Sequence, residues 1–114
     1  MKKEPVVFVV SDSMGETAQL VARAVLSQFP EGTAELHRFI QIGTPEAAEV
    51  VMNAARGQPT LIIFTVIVPE VRAVILEQAE REGITAVDVM GPALSGVEEI
   101  SGHKALLEDR KSVV

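Results

Sequence analysis

Apolar residues follow two rhythms along this chain: short continuous runs, and stripes that recur every three or four positions. Val6-Val7-Phe8-Val9-Val10 is an unbroken run, the signature of a strand covered on both faces. From Gly15 the rhythm changes. Ala18, Val21, Ala22, Val25, Leu26 and Phe29 fall on one helical stripe, which Pro30-Glu31-Gly32 breaks. Ala34 to Ile40 predicts a weaker strand, because Glu35, His37 and Arg38 interrupt its apolar residues; a sheet edge accommodates that mixture. Thr44-Pro45-Glu46 reads as a helix start, with Thr as N-cap and Pro at the first helical position. Ala47, Val50, Val51, Ala54 and Ala55 form the expected buried stripe, and Gly57 the stop.

Leu61-Ile62-Ile63-Phe64, continuing through Thr65 to Val68, predicts a third, fully apolar strand. Pro69-Glu70 opens a helix with Val71, Val74, Ile75 and Ala79 inward. Glu77 and Arg81 form an outer pair, and Gly83 ends the helix. Ala86 to Val89 is a fourth strand that stops at Gly91-Pro92, before a short helix from Ala93 to Ile100. Strand and helix alternate, so the strands run parallel, each helix serving as a crossover. Two strands read as central and the second as edge. The expected order is therefore 2-1-3-4, in a three-layer αβα sandwich of the Rossmann or flavodoxin-like kind. Residues 1–102 make this α/β domain. Residues 103–114 read as an irregular tail or docking segment, with apolar Leu106-Leu107 and Val113-Val114 lacking a place in the pattern.

Composition narrows the chemistry. The 114 residues suffice for one domain, and at 47% hydrophobic and 23% charged they are not disordered in bulk. Cys, Trp and Tyr are absent. That excludes a disulfide scaffold, a thiolate metal site and a cysteine nucleophile; with only His37 and His103, a histidine-rich metal site is not expected either. The formal charge of −6, without any basic stripe, argues against nucleic-acid binding. The longest apolar stretch, Leu61 to Pro69, falls far short of the roughly 20 residues that span a bilayer. The apolar run after Met1-Lys2-Lys3-Glu4-Pro5 is too short for a signal peptide, so a cytoplasmic setting is expected.

In an open parallel sheet, ligands bind beyond the carboxyl ends of the strands where the strand order reverses, here between strands one and three. Ser11, Asp12, Ser13, Gly15, Glu16 and Thr17 follow strand one; Thr65 ends strand three and Asp88 belongs to strand four. Hydroxyls at 11, 13 and 17 surround a glycine at a helix mouth, which makes a phosphate cradle. The same residues also read as a capping box, Ser13 with Glu16, and the two readings stay open together. Asp12 and Glu16 oppose a naked phosphate. Thr65 and Asp88 complete the set of phosphate- or ligand-binding candidates, with Asp88 also readable as turn chemistry and Thr65 as an ordinary strand residue; His37 and Arg38 read as solvated edge residues. No Gly-x-Ser-x-Gly elbow and no Walker A sequence occurs.

A flavodoxin-like mononucleotide module is one reading of the Ser-x-Ser-x-Gly-x-Thr loop, although no Trp or Tyr is present to stack on a flavin. A phosphoacceptor receiver fails on its central residue, because Thr65 stands where the acceptor Asp should lie. A third reading comes from resemblance. The run from Val9-Val10-Ser11-Asp12-Ser13-Met14-Gly15-Glu16-Thr17-Ala18 to Phe29 resembles the amino-terminal segment of the pyruvate, phosphate dikinase and phosphoenolpyruvate synthase regulatory proteins. Phe64 to Arg72 and Val87-Asp88-Val89-Met90-Gly91-Pro92 are similar to the same family, in order and in register. The loop wording is closer to the dikinase branch.

The resemblance implies a bifunctional serine/threonine kinase and phosphotransferase. Such a protein phosphorylates a threonine of its target with ADP and removes that phosphate with inorganic phosphate, giving pyrophosphate. It implies the dikinase or the synthase as partner. It places the family's nucleotide-binding P-loop in a carboxyl-terminal domain with no matching position here, so no catalytic residue is carried over and no cofactor is expected in this chain. The resemblance ends at Gly102, which implies an amino-terminal domain that is inactive alone. The alternative is a flavodoxin-like phosphate-binding or dimerisation module, possession of a second copy being one expected partnership.

Overall fold

The computed structural model describes residues 4–107, so Met1 to Lys3, Val113 and Val114 lie outside the described residues. Its order is β1 (Val6–Ser11), α1 (Glu16–Leu26), β2 (Glu35–Phe39), α2 (Pro45–Ala55), β3 (Thr60–Thr65), α3 (Pro69–Glu82), β4 (Thr85–Asp88) and α4 (Gly91–Ser101). All strand pairs are parallel, in the order β2-β1-β3-β4. The predicted α/β fold and strand order are both present. Every residue of β1 is buried, as an unbroken apolar run requires of a central strand.

Alternation along the strands divides the core in two. Val6, Phe8 and Val10 of β1 join Ile62 and Phe64 of β3 under α2 and α3. Val7 and Val9 join Ile63 on the opposite face, under Ala18 and Ala22 of α1. At the edge, Phe8 packs against Phe39 with ring centroids 4.7 Å apart and stacks on His37 at 5.8 Å. His37 is therefore half covered, and its Nε2 lies 3.3 Å from Glu35 Oε1.

The helix boundaries follow local chemistry. Thr44 caps α2, its Oγ1 accepting from Ala47 N–H at 3.1 Å, and Pro45 follows at the first position. Gly83 ends α3 at φ +69°, where a side chain is disfavoured. The Glu77–Arg81 pair forms at 3.1 Å on the outer face.

Two helical stripes differ from expectation. In α2 the buried residues are Ala48, Val51, Met52 and Ala55, while Val50 is exposed. This helix is apolar over more than half its circumference, so periodicity alone does not fix which side meets the sheet. In α1 only Ala18 and Ala22 are fully buried; the helix ends at Leu26, leaving Val25 and Phe29 exposed. Small residues at positions 18 and 22 let α1 lie close to the sheet, and Val21 and Leu26 pack partly buried against the same cluster. The fourth helix forms over Gly91–Ser101 and buries none of its residues.

Candidate functional site

The β1–α1 turn lies where the strand order reverses, since β1 sits between β2 and β3. Ser11 and Thr65 are register partners at the carboxyl ends of β1 and β3. The Ser11 side chain is buried, and its Oγ accepts from Ser13 N–H at 3.0 Å. This bond folds the chain back on itself directly after the strand.

Asp12 has a structural task. Its Oδ2 accepts from Ile67 N–H at 2.7 Å and from Val68 N–H at 2.9 Å, just ahead of α3. The carboxylate thus satisfies two donors of a turn that no local side chain caps. It ties the β1–α1 turn to the β3–α3 turn.

From the other side, β2 holds the same loop. Gln41 N–H donates to the Ser13 carbonyl at 2.8 Å and Ile42 N–H to the Ser11 carbonyl at 3.0 Å. The Arg38 Nη2 donates to the Met14 carbonyl at 2.8 Å. Arg38 is the residue the sequence reading missed. Its alternation on β2 puts it on the α1 face beside Val9, yet only the fold shows that its guanidinium reaches a loop 24 residues earlier.

The capping-box reading does not hold. The residue before α1 is Gly15, at φ +78° and ψ +14°, and no side chain caps this helix. Ser13 lies too early in the chain to reach the first turn. Gly15 is buried, and a Cβ there would stand 3.2 Å from Ile40 Cγ2. The result is an open helix N-terminus, with the Ser13 hydroxyl making no hydrogen bond among the described residues. Glu16 and Thr17 occupy the first turn and are exposed.

Asp88 stands apart from this group. It is the register partner of Phe64, and its Oδ1 accepts from Gly91 N–H at 2.7 Å. Its Oδ2 accepts from Arg72 Nε at 3.1 Å and pairs with Arg72 Nη2. Both oxygens are engaged, so Asp88 is a clamp between α3 and the start of α4, consistent with the turn reading. The structure therefore brings together Ser11, Ser13, Gly15, Glu16, Thr17 and Thr65. It turns Asp12 and Asp88 toward backbone and guanidinium partners.

A groove of about 620 Å³ lies elsewhere, at the amino-terminal end of β2, lined by Leu26, Phe29, Ala34 and Leu36 among others. It includes none of the candidate residues. Among the described residues no group of three or more side chains could hold a metal ion, and no helix is long and apolar enough to cross a membrane.

Comparison with known proteins identifies the family. The family described as kinase/pyrophosphorylase matches residues 7–112. That match runs past Gly102, where the resemblance read from the sequence stops. A relative from Shouchella clausii is 40% identical over 103 residues, covering 90% of this chain and 38% of its own length. One from Halalkalibacterium halodurans is 38% identical over 107 residues, covering 94% and 40%. One from Oceanobacillus iheyensis is 33% identical over 108 residues, covering 95% and 40%. All three are provisionally named pyruvate, phosphate dikinase regulatory proteins. The chain spans about two-fifths of the length of these relatives. With nearly its whole length matched, the chain belongs to the kinase/pyrophosphorylase family.

Proposed function

We propose that this chain is the part of a regulatory kinase/pyrophosphorylase that positions the phosphate-bearing segment of the target enzyme. The target is pyruvate, phosphate dikinase, as the names of the relatives indicate, or phosphoenolpyruvate synthase. The overall chemistry is ADP-dependent phosphorylation of a threonine and its reversal by inorganic phosphate, in the cytoplasm. Sequence outside this chain binds the nucleotide, and these residues alone do not catalyse transfer.

One observation carries the reading: the uncapped N-terminus of α1 opens at the strand-order reversal, beside the unbonded Ser13 hydroxyl. Free N–H groups there, with the positive end of the helix, favour an anionic oxygen. Glycine at position 15 permits the left-handed backbone that starts α1 against Ile40 and β1. Thr65, half-exposed on the neighbouring strand end, adds a hydroxyl to the same crevice. Asp12 directs its Oδ2 to the backbone N–H groups ahead of α3. Holding two reacting groups in place contributes to transfer without a catalytic base.

The reading is tested in two assays. The 114-residue chain, incubated with ADP and the dikinase, should transfer no phosphate; phosphorylation by the chain alone overturns it. In a full-length relative, alanine at the position matching Ser13 should slow transfer about tenfold or more at unchanged melting temperature. Transfer at the wild-type rate removes the loop from the mechanism.

A further inference from the structure

Three successive carbonyl groups in the turn before α1 are held in different ways. The Ser13 carbonyl accepts from Gln41 N–H at 2.8 Å, and the Gly15 carbonyl from Gln19 N–H at 2.9 Å. Between them, the Met14 carbonyl takes no backbone donor among the described residues; its partner is Arg38 Nη2, at 2.8 Å. Arg38 forms no ion pair among the described residues, so this bond is what directs its guanidinium.

A peptide unit is planar and trans, so its N–H points away from its carbonyl oxygen. With the Met14 carbonyl turned to Arg38, the Gly15 N–H is turned from it, and that N–H has no acceptor among the described residues. Gly15 is left-handed, at φ +78°, and the helical residues after it are right-handed. That alternation gathers the N–H groups of residues 15, 16 and 17 on one concave side, a form that holds anionic oxygens. Glycine also makes the arrangement reversible. Turning the Met14–Gly15 peptide over carries φ of Gly15 to negative values, which glycine adopts as readily. The bonds of the Ser13 and Gly15 carbonyls do not resist that rotation, because neither group belongs to the rotating peptide. Turned over, the unit offers a carbonyl oxygen where it had offered an N–H, and repels an anion.

We propose that Arg38 is a positioning residue for the phosphate site: its bond to the Met14 carbonyl holds the Met14–Gly15 peptide with the N–H, not the oxygen, on the side of the free α1 donors. The guanidinium acts through the backbone and does not touch the phosphate. Its bond is charge-assisted, which suits it to hold one peptide orientation against the other. It also reaches from the edge strand β2 to a turn 24 residues earlier, so the donors are set only once β2 has paired with β1. The inference rests on the reading that the α1 opening receives a phosphate group, and its test separates the two.

Inorganic phosphate is titrated into the 114-residue chain and followed by proton–nitrogen NMR. In the unmodified chain the amides of Gly15, Glu16 and Thr17 should shift with phosphate. The sequential NOE from Met14 Hα to the Gly15 N–H reads the peptide orientation, because turning the peptide over changes ψ of Met14. Arg38→Ala should alter the strength of that NOE before any phosphate is added, with the amide shifts of β3 unchanged. It should also raise the phosphate needed for half the shift about fivefold or more, as when the competent orientation is populated a fifth of the time. Arg38→Lys keeps the charge without the guanidinium, and its phosphate affinity should follow its NOE. The proposal is overturned if Arg38→Ala leaves the NOE as it was, or changes the NOE but not the affinity. It is equally overturned if Arg38→Lys shows the altered NOE yet binds phosphate like the unmodified chain, which would make Arg38 a source of charge alone. An unmodified chain that does not respond to phosphate is a failure of the phosphate reading, and the positioning role falls with it; an unchanged NOE in Arg38→Ala is a failure of the Arg38 bond alone.

Discussion

Gly15 combines two constraints that act on one atom. Its φ of +78° disfavours any Cβ, and Ile40 Cγ2 lies 3.2 Å from where that Cβ would be. Gly15→Ala should therefore cost about 1 to 3 kcal/mol, read from urea denaturation. Asp12→Ala should cost about as much, because the N–H groups of Ile67 and Val68 lose their common acceptor. Asp12→Asn, which keeps a carbonyl oxygen, should cost less. Ser13→Ala makes the opposite case: its hydroxyl bonds to nothing among the described residues, so its stability should change by less than about 0.5 kcal/mol. A loop in which position 12 governs folding and position 13 does not leaves Ser13 available for a ligand.

At the scale of the element, α2 shows how a helix can be legible while its rotation is not. Thr44, Pro45 and the apolar content mark its start and its type without reference to the rest of the molecule. Its buried side is another matter, because Val50, Val51 and Met52 are consecutive and equally apolar. The sheet selects Val51 and Met52 and leaves Val50 to solvent. Met52→Ala should then cost about 2 to 5 kcal/mol, and Val50→Ala less than about 0.5 kcal/mol, in the same denaturation measurement. Equal losses at the two positions would place the helix in a different rotation. The α1 N-terminus carries the same lesson: Ser13 and Glu16 have capping-box spacing, but Gly15 in the left-handed region starts the helix two residues later.

For the whole molecule, the β2-β1-β3-β4 order makes β1 and β3 central and leaves β2 and β4 at the edges. The amides of β1 and β3 should be the slowest to exchange with deuterium, those of β2 and β4 faster, and those of α4 the fastest among the helices. The two ties from Asp12 and the bonds from Gln41, Ile42 and Arg38 all converge on the turn after β1. The candidate site is thus held by both neighbouring crossovers, and disturbing either should alter it without unfolding the sheet.

Much of this was written in local pattern. The unbroken valines of β1, the charged interruptions of β2 and the Pro and Gly punctuation of the helices sufficed for the fold class and strand order, because burial on two faces and chain stiffness act over a few residues. The candidate loop was legible for the same reason, as hydroxyls around a glycine between strand and helix. Tertiary structure decided what those residues do. Whether Asp12 repels a phosphate or fastens α3, whether Arg38 is solvated or grips Met14, and whether Asp88 is free or clamped by Arg72 all depend on partners far along the chain. Such partners meet only when the sheet forms, since parallel pairing joins strands across intervening helices and leaves no mark of the encounter in either segment alone.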